Sequence, residues 1–179
     1  MNWDLSNIYN FKDTDKLIKE LTTLSTDFEK QRDSLSEDLS SEDFLNLIKQ
    51  KEKMATISAK LSSYANLWLS ENTADPQRNA HLAKLDEQLT DIGNKTLFFA
   101  LWFKSISETA AKKFIEVAGE YSYMLVRIRD FKDNTLEEKE EQIINLKDLS
   151  GTDLLTRMYD LVTNQFTFEW EGKQVQKQK

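Results

Sequence analysis

With 179 residues the chain has room for one domain with a continuous core, and four glycines and one proline leave too little turn material for a sandwich or barrel. A formal charge of −7 argues against an electrostatic nucleic-acid binder, and the lack of cysteine excludes disulfides, zinc thiolates and thiol nucleophiles. The longest apolar run, LFFALWF at 97–103, is far shorter than the ~20 residues that span a bilayer, and MNWDLSNIYNF lacks the basic-then-apolar order of a secretory signal, so a cytoplasmic chain without membrane contact is expected.

After an extended, aromatic-rich start, Asp13 or Thr14 is placed to cap a first helix over roughly 14–36, with Leu17, Leu21, Leu24, Phe28 and Leu35 on one stripe. LSEDLSSED interrupts it, and Ser40 or Ser41 caps a second helix over 41–70 whose face runs from Phe44 through Leu47, Ile48, Met54, Ile57 and Leu61 to Tyr64 and Trp68. Asp75-Pro76 is the clearest punctuation: a carboxylate cap followed by proline at the first helical position starts a third helix, 76–105. Its face carries Leu82, Leu85, Leu89, Ile92, Phe99 and Phe103, and near LFFALWF it becomes apolar on nearly all sides, which predicts burial from more than one direction.

A fourth helical region, 108–132, opens after Ser107 with Ala111, Phe114, Ile115 and Ala118 facing inward, and a break is expected near Gly119. Beyond it Tyr121, Met124, Leu125, Ile128 and Phe131 continue the apolar pattern. Thr135 and Glu138 have capping-box spacing for a fifth helix, 136–149, bearing Ile143, Ile144 and Leu146, and Gly151 sits where a left-handed C-terminal cap belongs. Thr152 then caps a sixth helix, 152–164, whose Leu154, Leu155, Met158, Leu161 and Val162 read as core. From Gln165 the period changes to two: Phe166, Phe168 and Trp170 alternate with Thr167 and Glu169, predicting strands at 165–170 and 173–176 joined by a turn at Glu171-Gly172. A lone hairpin is marginal in water, so this one needs a surface to pack on. The basic run KQVQKQK reads as a solvated tail. The predicted architecture is mainly α, an antiparallel bundle of about six helices with a short C-terminal β-hairpin, in one domain covering 1–179.

Chemistry-bearing residues are few. His81, the single histidine, is either a metal ligand or general base, or a helix-surface or core histidine; the i+4 position where a helical zinc site would place a second ligand holds Leu85. The glutamates of LEEKEEQ at 136–142 have the composition of an acid-base pair, but in the first turns of a helix they also complement the macrodipole. Tyr121, Tyr123, Arg127 and Arg129 form an aromatic and basic cluster suited to lining a peptide groove or stacking on bases, while the spacing of Tyr121, Met124 and Ile128 is that of an ordinary buried stripe, and core packing is the preferred reading. No phosphate-binding glycine loop or nucleophile elbow is present.

Three ordered stretches carry a resemblance: WDLSNIY at 3–9, LSGTDLLTRMYDL at 149–161 and FTFEWEGK at 166–173. Together with LSSYANLWLSENTADPQ at 61–77 and LFFALWF, they resemble the N-terminal region of oligoendopeptidase F and its relatives, the M3 zinc oligopeptidases, from Trp3 to about Lys173. Leu155 departs from the pattern, since many relatives carry tryptophan there. The resemblance implies an intracellular, nearly all-helical metallopeptidase that encloses short peptides in a deep channel and cleaves them with one zinc held by HExxH and a later glutamate.

One histidine cannot furnish HExxH, so no catalytic or metal residue carries over, and the chain alone is expected to be inactive, with zinc confined to the family's catalytic domain. The resemblance assigns it the helical layer that walls the channel and restricts entry to short peptides, with the catalytic domain of the same polypeptide, or a peptidase partner, against it. Tyr121, Tyr123 and Arg127 are the candidate substrate-binding residues. An isolated wall domain should expose apolar surface and tend to self-associate. The alternative is a free-standing helical interaction protein that keeps the scaffold without peptidase activity.

Overall fold

A computed structural model describes residues 3–176; Met1, Asn2 and the last three residues of KQVQKQK lie outside the described residues. The described chain runs through α1 (Thr14–Glu29), α2 (Ser41–Glu71), α3 (Pro76–Ser105), α4 (Glu108–Val117), α5 (Ser122–Arg129), α6 (Glu138–Ser150) and α7 (Thr152–Asn164), then β1 (Thr167–Trp170) and β2 (Lys173–Gln176). This is the expected helical bundle with a terminal hairpin. None of the described helices is long and apolar enough to cross a membrane.

The predicted caps at Ser40 and Asp75 form, and Ser107 adds a third. The Ser40 hydroxyl accepts from the Asp43 amide at 3.1 Å, Asp75 Oδ1 accepts from Gln77 and Arg78 at 2.8 and 3.3 Å, and the Ser107 hydroxyl accepts from Ala110 at 3.2 Å. Each satisfies amides that the first helical turn leaves without a partner. At α1 the cap differs. Asp13 makes no side-chain cap, and the Thr14 hydroxyl instead donates to the Phe11 carbonyl at 2.6 Å, closing a 3-10 turn over Phe11–Asp13.

The first helix also ends earlier than its stripe suggests, at Glu29, and a 3-10 turn follows at Arg32–Ser34. There the Ser34 hydroxyl donates to the Gln31 carbonyl at 2.6 Å, a local bond that competes with helix continuation. Gly119, at φ +57°, breaks the 108–132 region as expected and opens a 3-10 turn through Tyr121. That break rotates α5. Leu125 is fully buried and Tyr121 and Ile128 pack against the core, but Met124 and Phe131, expected inside, are 41% and 54% exposed.

α1, α2 and α3 run alternately up and down. Lys53 reaches Glu20 at 2.9 Å and Gln31 reaches Gln50 at 2.8 Å, which fixes α1 antiparallel to α2. Lys51 donates to Thr96 at 3.1 Å, and Arg78 reaches the Trp68 carbonyl, which does the same for α2 and α3. Between them lies an aromatic centre. The Phe44 ring is 4.3 Å from Phe114 of α4, 5.9 Å from Phe103 and 6.2 Å from Phe99, and Phe28 joins through Phe98 at 5.4 Å. The all-round apolar run of α3 is thus buried from several sides, as predicted. Arg129 closes this end: its guanidinium donates to the carbonyls of Phe103 at 2.7 Å and Ile106 at 3.2 Å and pairs with Glu108, tying α5 to the otherwise open carbonyl end of α3.

Because Phe44 is fully buried among four aromatic rings, Phe44→Ala should lower unfolding free energy by about 3–5 kcal/mol, read from urea denaturation.

Candidate functional site

The structure first settles the surroundings of the residues singled out by chemistry. His81 is half-buried between Phe11, 5.3 Å away, and Trp68, 5.5 Å away, and its Nε2 is buried with no protein partner. Burial, helped by nearby Lys84 and opposed by Asp15, holds the imidazole below its ordinary pKa. Among the described residues no three His, Asp or Glu side chains gather where they could hold a metal.

The glutamate cluster serves the start of α6. Glu138 takes both guanidinium nitrogens of Arg32 at 2.6 Å, which lowers its pKa, while Glu140 accepts from the Glu137 amide at 3.1 Å and Glu141 from the Leu136 amide at 3.0 Å. The capping box therefore sits at Glu137 and Glu140 rather than at Thr135 and Glu138. Arg32 has claimed Glu138, and the Thr135 hydroxyl donates back to Phe131 at 2.7 Å.

Tyr121, Tyr123 and Arg127 share one short stretch but have different partners. The Tyr121 hydroxyl donates to Glu52 of α2 at 2.7 Å, a bond that pushes the phenol up to about 12. Arg127 pairs within its own segment with Asp130 at 2.5 Å, and Tyr123 is 75% exposed.

A larger feature lies in α7, an amphipathic helix turned inside out, and in α6, which has no clear apolar face but also leaves its isoleucines outside. Leu154, Leu155, Met158, Leu161 and Val162 lie on one face of α7, as the sequence requires, yet this face is exposed, Leu155 to 66%. The opposite stripe of Asp153, Arg157, Asp160 and Asn164 faces the bundle. Arg157 pairs with Asp86 of α3, Asn164 donates to Thr73 at 3.2 Å, and a polar cleft containing Asn66, Thr73, Asp86, Asp153 and Arg157 separates the two. Burial pushes the Asp86 carboxyl up against the pull of Arg157. The expectation that the Leu154 to Val162 face is core is thus reversed: the helix exists, but its polar side is the one that docks.

α6 likewise docks through polar residues. Glu138, Gln142 and Asn145 share its inward stripe. Asn145 donates to the buried Asn94 side chain at 2.8 Å, Gln142 donates to the Asn94 carbonyl at 3.3 Å, and the Asn94 amide donates to the Gln142 carbonyl at 3.4 Å. Ile143, Ile144 and Leu146 point away from this seam and stay exposed. No described residue of α6 or α7 is buried.

The junction between them explains Gly151, though not by the left-handed cap expected: its φ is −105°. The Gly151 amide donates to the Lys147 carbonyl at 2.8 Å, and a Cβ would lie 2.9 Å from that same oxygen, so a side chain would not fit without a shift. Thr152 begins α7 without making the expected side-chain cap. Beyond α7, the hairpin pairs Phe168 with Val175 and Trp170 with Lys173 across Glu171 and Gly172, both at positive φ, which is the signature of a type I′ turn. The alternation puts Phe168, Trp170 and Val175 on one side, and all three are exposed, Trp170 to 69%. Sequence periodicity identified the named residues of this surface; for Leu154 to Val162 the direction was missed, whereas the hairpin's need of a partner surface was expected.

Residues 102–168, from the last turns of α3 into β1, match the family model described as Oligopeptidase F, the N-terminal domain of M3 peptidases. Comparison with curated proteins and with solved structures gives no match.

Asn94→Ala should strip the Asn145 side chain and the Gln142 carbonyl of a partner, while the Gln142 side chain keeps the backbone carbonyl of residue 94, and cost about 1–3 kcal/mol, with amide exchange accelerating in α6 and α7 but not in α2. For His81 the folded pKa lies below the unfolded value of about 6.5, so stability is complete above about pH 6.5 and is lost as pH falls below it. His81→Phe should therefore lose less stability than the parent between about pH 7.5 and about pH 5.5 in chemical denaturation; equal losses would refute the assignment.

Proposed function

We propose that this chain, which carries the oligopeptidase F N-terminal domain at residues 102–168, is the noncatalytic helical wall of an M3 zinc oligoendopeptidase, acting with a catalytic part of the same polypeptide. The observation that carries the reading is the inversion of α7. A helix that gives its polar stripe to its own bundle and leaves Leu154, Leu155, Met158, Leu161 and Val162 in water is stable in function only if another surface covers them. Burial of each such side chain contributes about 1.5–3 kcal/mol, so the outward face is a strong docking surface. The hairpin adds Phe168, Trp170 and Val175 to the same requirement.

In this reading the chain contributes shape rather than chemistry. The wall narrows access so that short, flexible peptides enter and folded proteins do not, and the catalytic part supplies the zinc, with its HExxH ligands and activated water. Tyr121, Tyr123 and Arg127 are the residues of this chain proposed to meet peptide; exposed Tyr123 is the best placed of them, because Tyr121 and Arg127 already hold Glu52 and Asp130. The domain spans 1–179 and the site of action is the cytoplasm.

Two measurements bear on this. The reading frame beyond codon 179 should continue into HExxH; a stop codon without such a frame would replace this reading with a free-standing interaction protein that uses the same face. In addition, the 179-residue chain should self-associate in light scattering at high concentration. Leu155→Asp with Met158→Asp should weaken self-association, and capture of the separately expressed catalytic part, at least about tenfold while the helical circular dichroism is retained. Unchanged association by the double variant would rule out α7 as the docking face.

A further inference from the structure

A second concavity lies away from the α7 face. It is a cleft of about 560 Å³ between the Arg32–Ser34 turn, the last turns of α3 and the 132–138 connection. Its size is that of a small-ligand site rather than a protein groove. Phe98, Leu101 and Trp102 of α3, with Leu35 and Leu136, supply an apolar floor, and Leu136 stays 49% exposed. The rim carries three cations, Arg32, Lys104 and Lys132, against one carboxylate, Glu138. In a chain of net charge −7, a local surplus of two positive charges around an apolar floor is a pronounced departure.

The cations are not all spoken for. Arg32 stacks 4.5 Å over Phe98 and uses both terminal nitrogens on Glu138, so this pair neutralises itself and sets one wall. Lys132 is 3.4 Å from Glu108, but Glu108 is already held by Arg129. Lys104 has no ion pair among the described residues. Its position in the last turn of α3 suits the negative end of the helix, yet Arg129 already serves the carbonyls there.

We propose that this cleft binds a carboxylate adjacent to an apolar side chain, with Lys104 and Lys132 meeting the carboxylate and Leu101, Trp102 and Leu136 covering the side chain. Two peptide sources offer that chemistry: a free C-terminus whose last residue is apolar, and an aspartate or glutamate beside an apolar residue. A bare inorganic anion would satisfy the lysines but leave the floor wet, so the apolar floor selects the amphipathic ligand. The site stands on residues outside the α7 face and does not depend on the reading of that face.

The test titrates the 179-residue chain with acetyl-Ala-Leu-Phe as free acid, the same peptide as C-terminal amide, acetyl-Ala-Leu-Asp-amide and inorganic phosphate, following the Trp102 indole resonance. The free acid should bind saturably and at least about threefold more tightly than the Phe amide, with the difference shrinking as salt is raised. The Asp-amide arm tells whether a side-chain carboxylate substitutes for the terminus. Lys104→Gln should erase the preference for acid over amide and Lys104→Arg should keep it, while Lys60→Gln on exposed α2 leaves binding unchanged. Leu136→Ser should weaken both peptides without altering their ratio. Equal binding of acid and amide, phosphate binding as tight as the peptide acid, or no saturable shift at Trp102 would each overturn the proposal.

Discussion

The arrangement of this molecule depends on a polar seam centred on Asn94. A nearly buried amide on the inward face of α3 demands partners, and Gln142 and Asn145 of α6 provide them, with Arg32 and Glu138 making a bidentate pair at one end. Directional bonds of this kind specify rotation more sharply than apolar contact does, because a rotated α6 would leave the Asn94 side chain unsatisfied. Once α6 is fixed polar side inward, its isoleucines and Leu146 are committed to the outside. Gly151 then kinks the chain, α7 continues toward the start of α3, and the choice repeats through Arg157 and Asp86 and through Asn164 and Thr73.

The chain is therefore held together in two different ways. From α1 to α5 the hydrophobic effect dominates, with Phe28, Phe44, Phe99, Phe103 and Phe114 packed in one continuous aromatic centre and Arg129 sealing the carbonyl end of α3. From α6 onward, attachment to the bundle is by hydrogen bonds and ion pairs, which contribute far less net stability than burial of the same number of apolar side chains. The apolar residues of this second part are the ones left over for another surface. The residues matching the oligopeptidase F model, 102–168, include α6, α7 and Phe168 of the hairpin but not Trp170 or Val175, which joins the family resemblance to most of the surface that needs a partner. The basic cleft near Trp102 sits where the two parts meet, since Arg32 closes both the cleft and the seam.

Much of this was legible in the residues. Ser40, Asp75-Pro76 and Ser107 announced helix starts because short polar side chains before an apolar stripe have one favourable use, and Gly172 announced the turn because glycine takes a positive φ without strain, whereas nothing in Glu171 foretold its own positive φ. The errors share a cause. The Thr135 and Glu138 box was displaced to Glu137 and Glu140 because Arg32, more than a hundred residues earlier, takes Glu138. Met124 and Phe131 fell outside because Gly119 changes the phase of the helix by an amount that spacing does not encode.

The sequence by itself determined which segments are helical, which face of each is apolar, where the hairpin turns, and that no HExxH zinc site can be built from a single histidine. Periodicity, caps and composition are local properties, and local physics suffices to read them. Only the tertiary structure decided which face of each helix meets the bundle. For α1 to α4 the apolar face goes in, because burial there has no competitor, and α5 commits Leu125 while leaving Met124 outside. For α6 and α7 the buried needs of Asn94 and Asp86 turn the polar face in, and the direction of an amphipathic helix is set by what stands opposite it, which its own sequence does not contain.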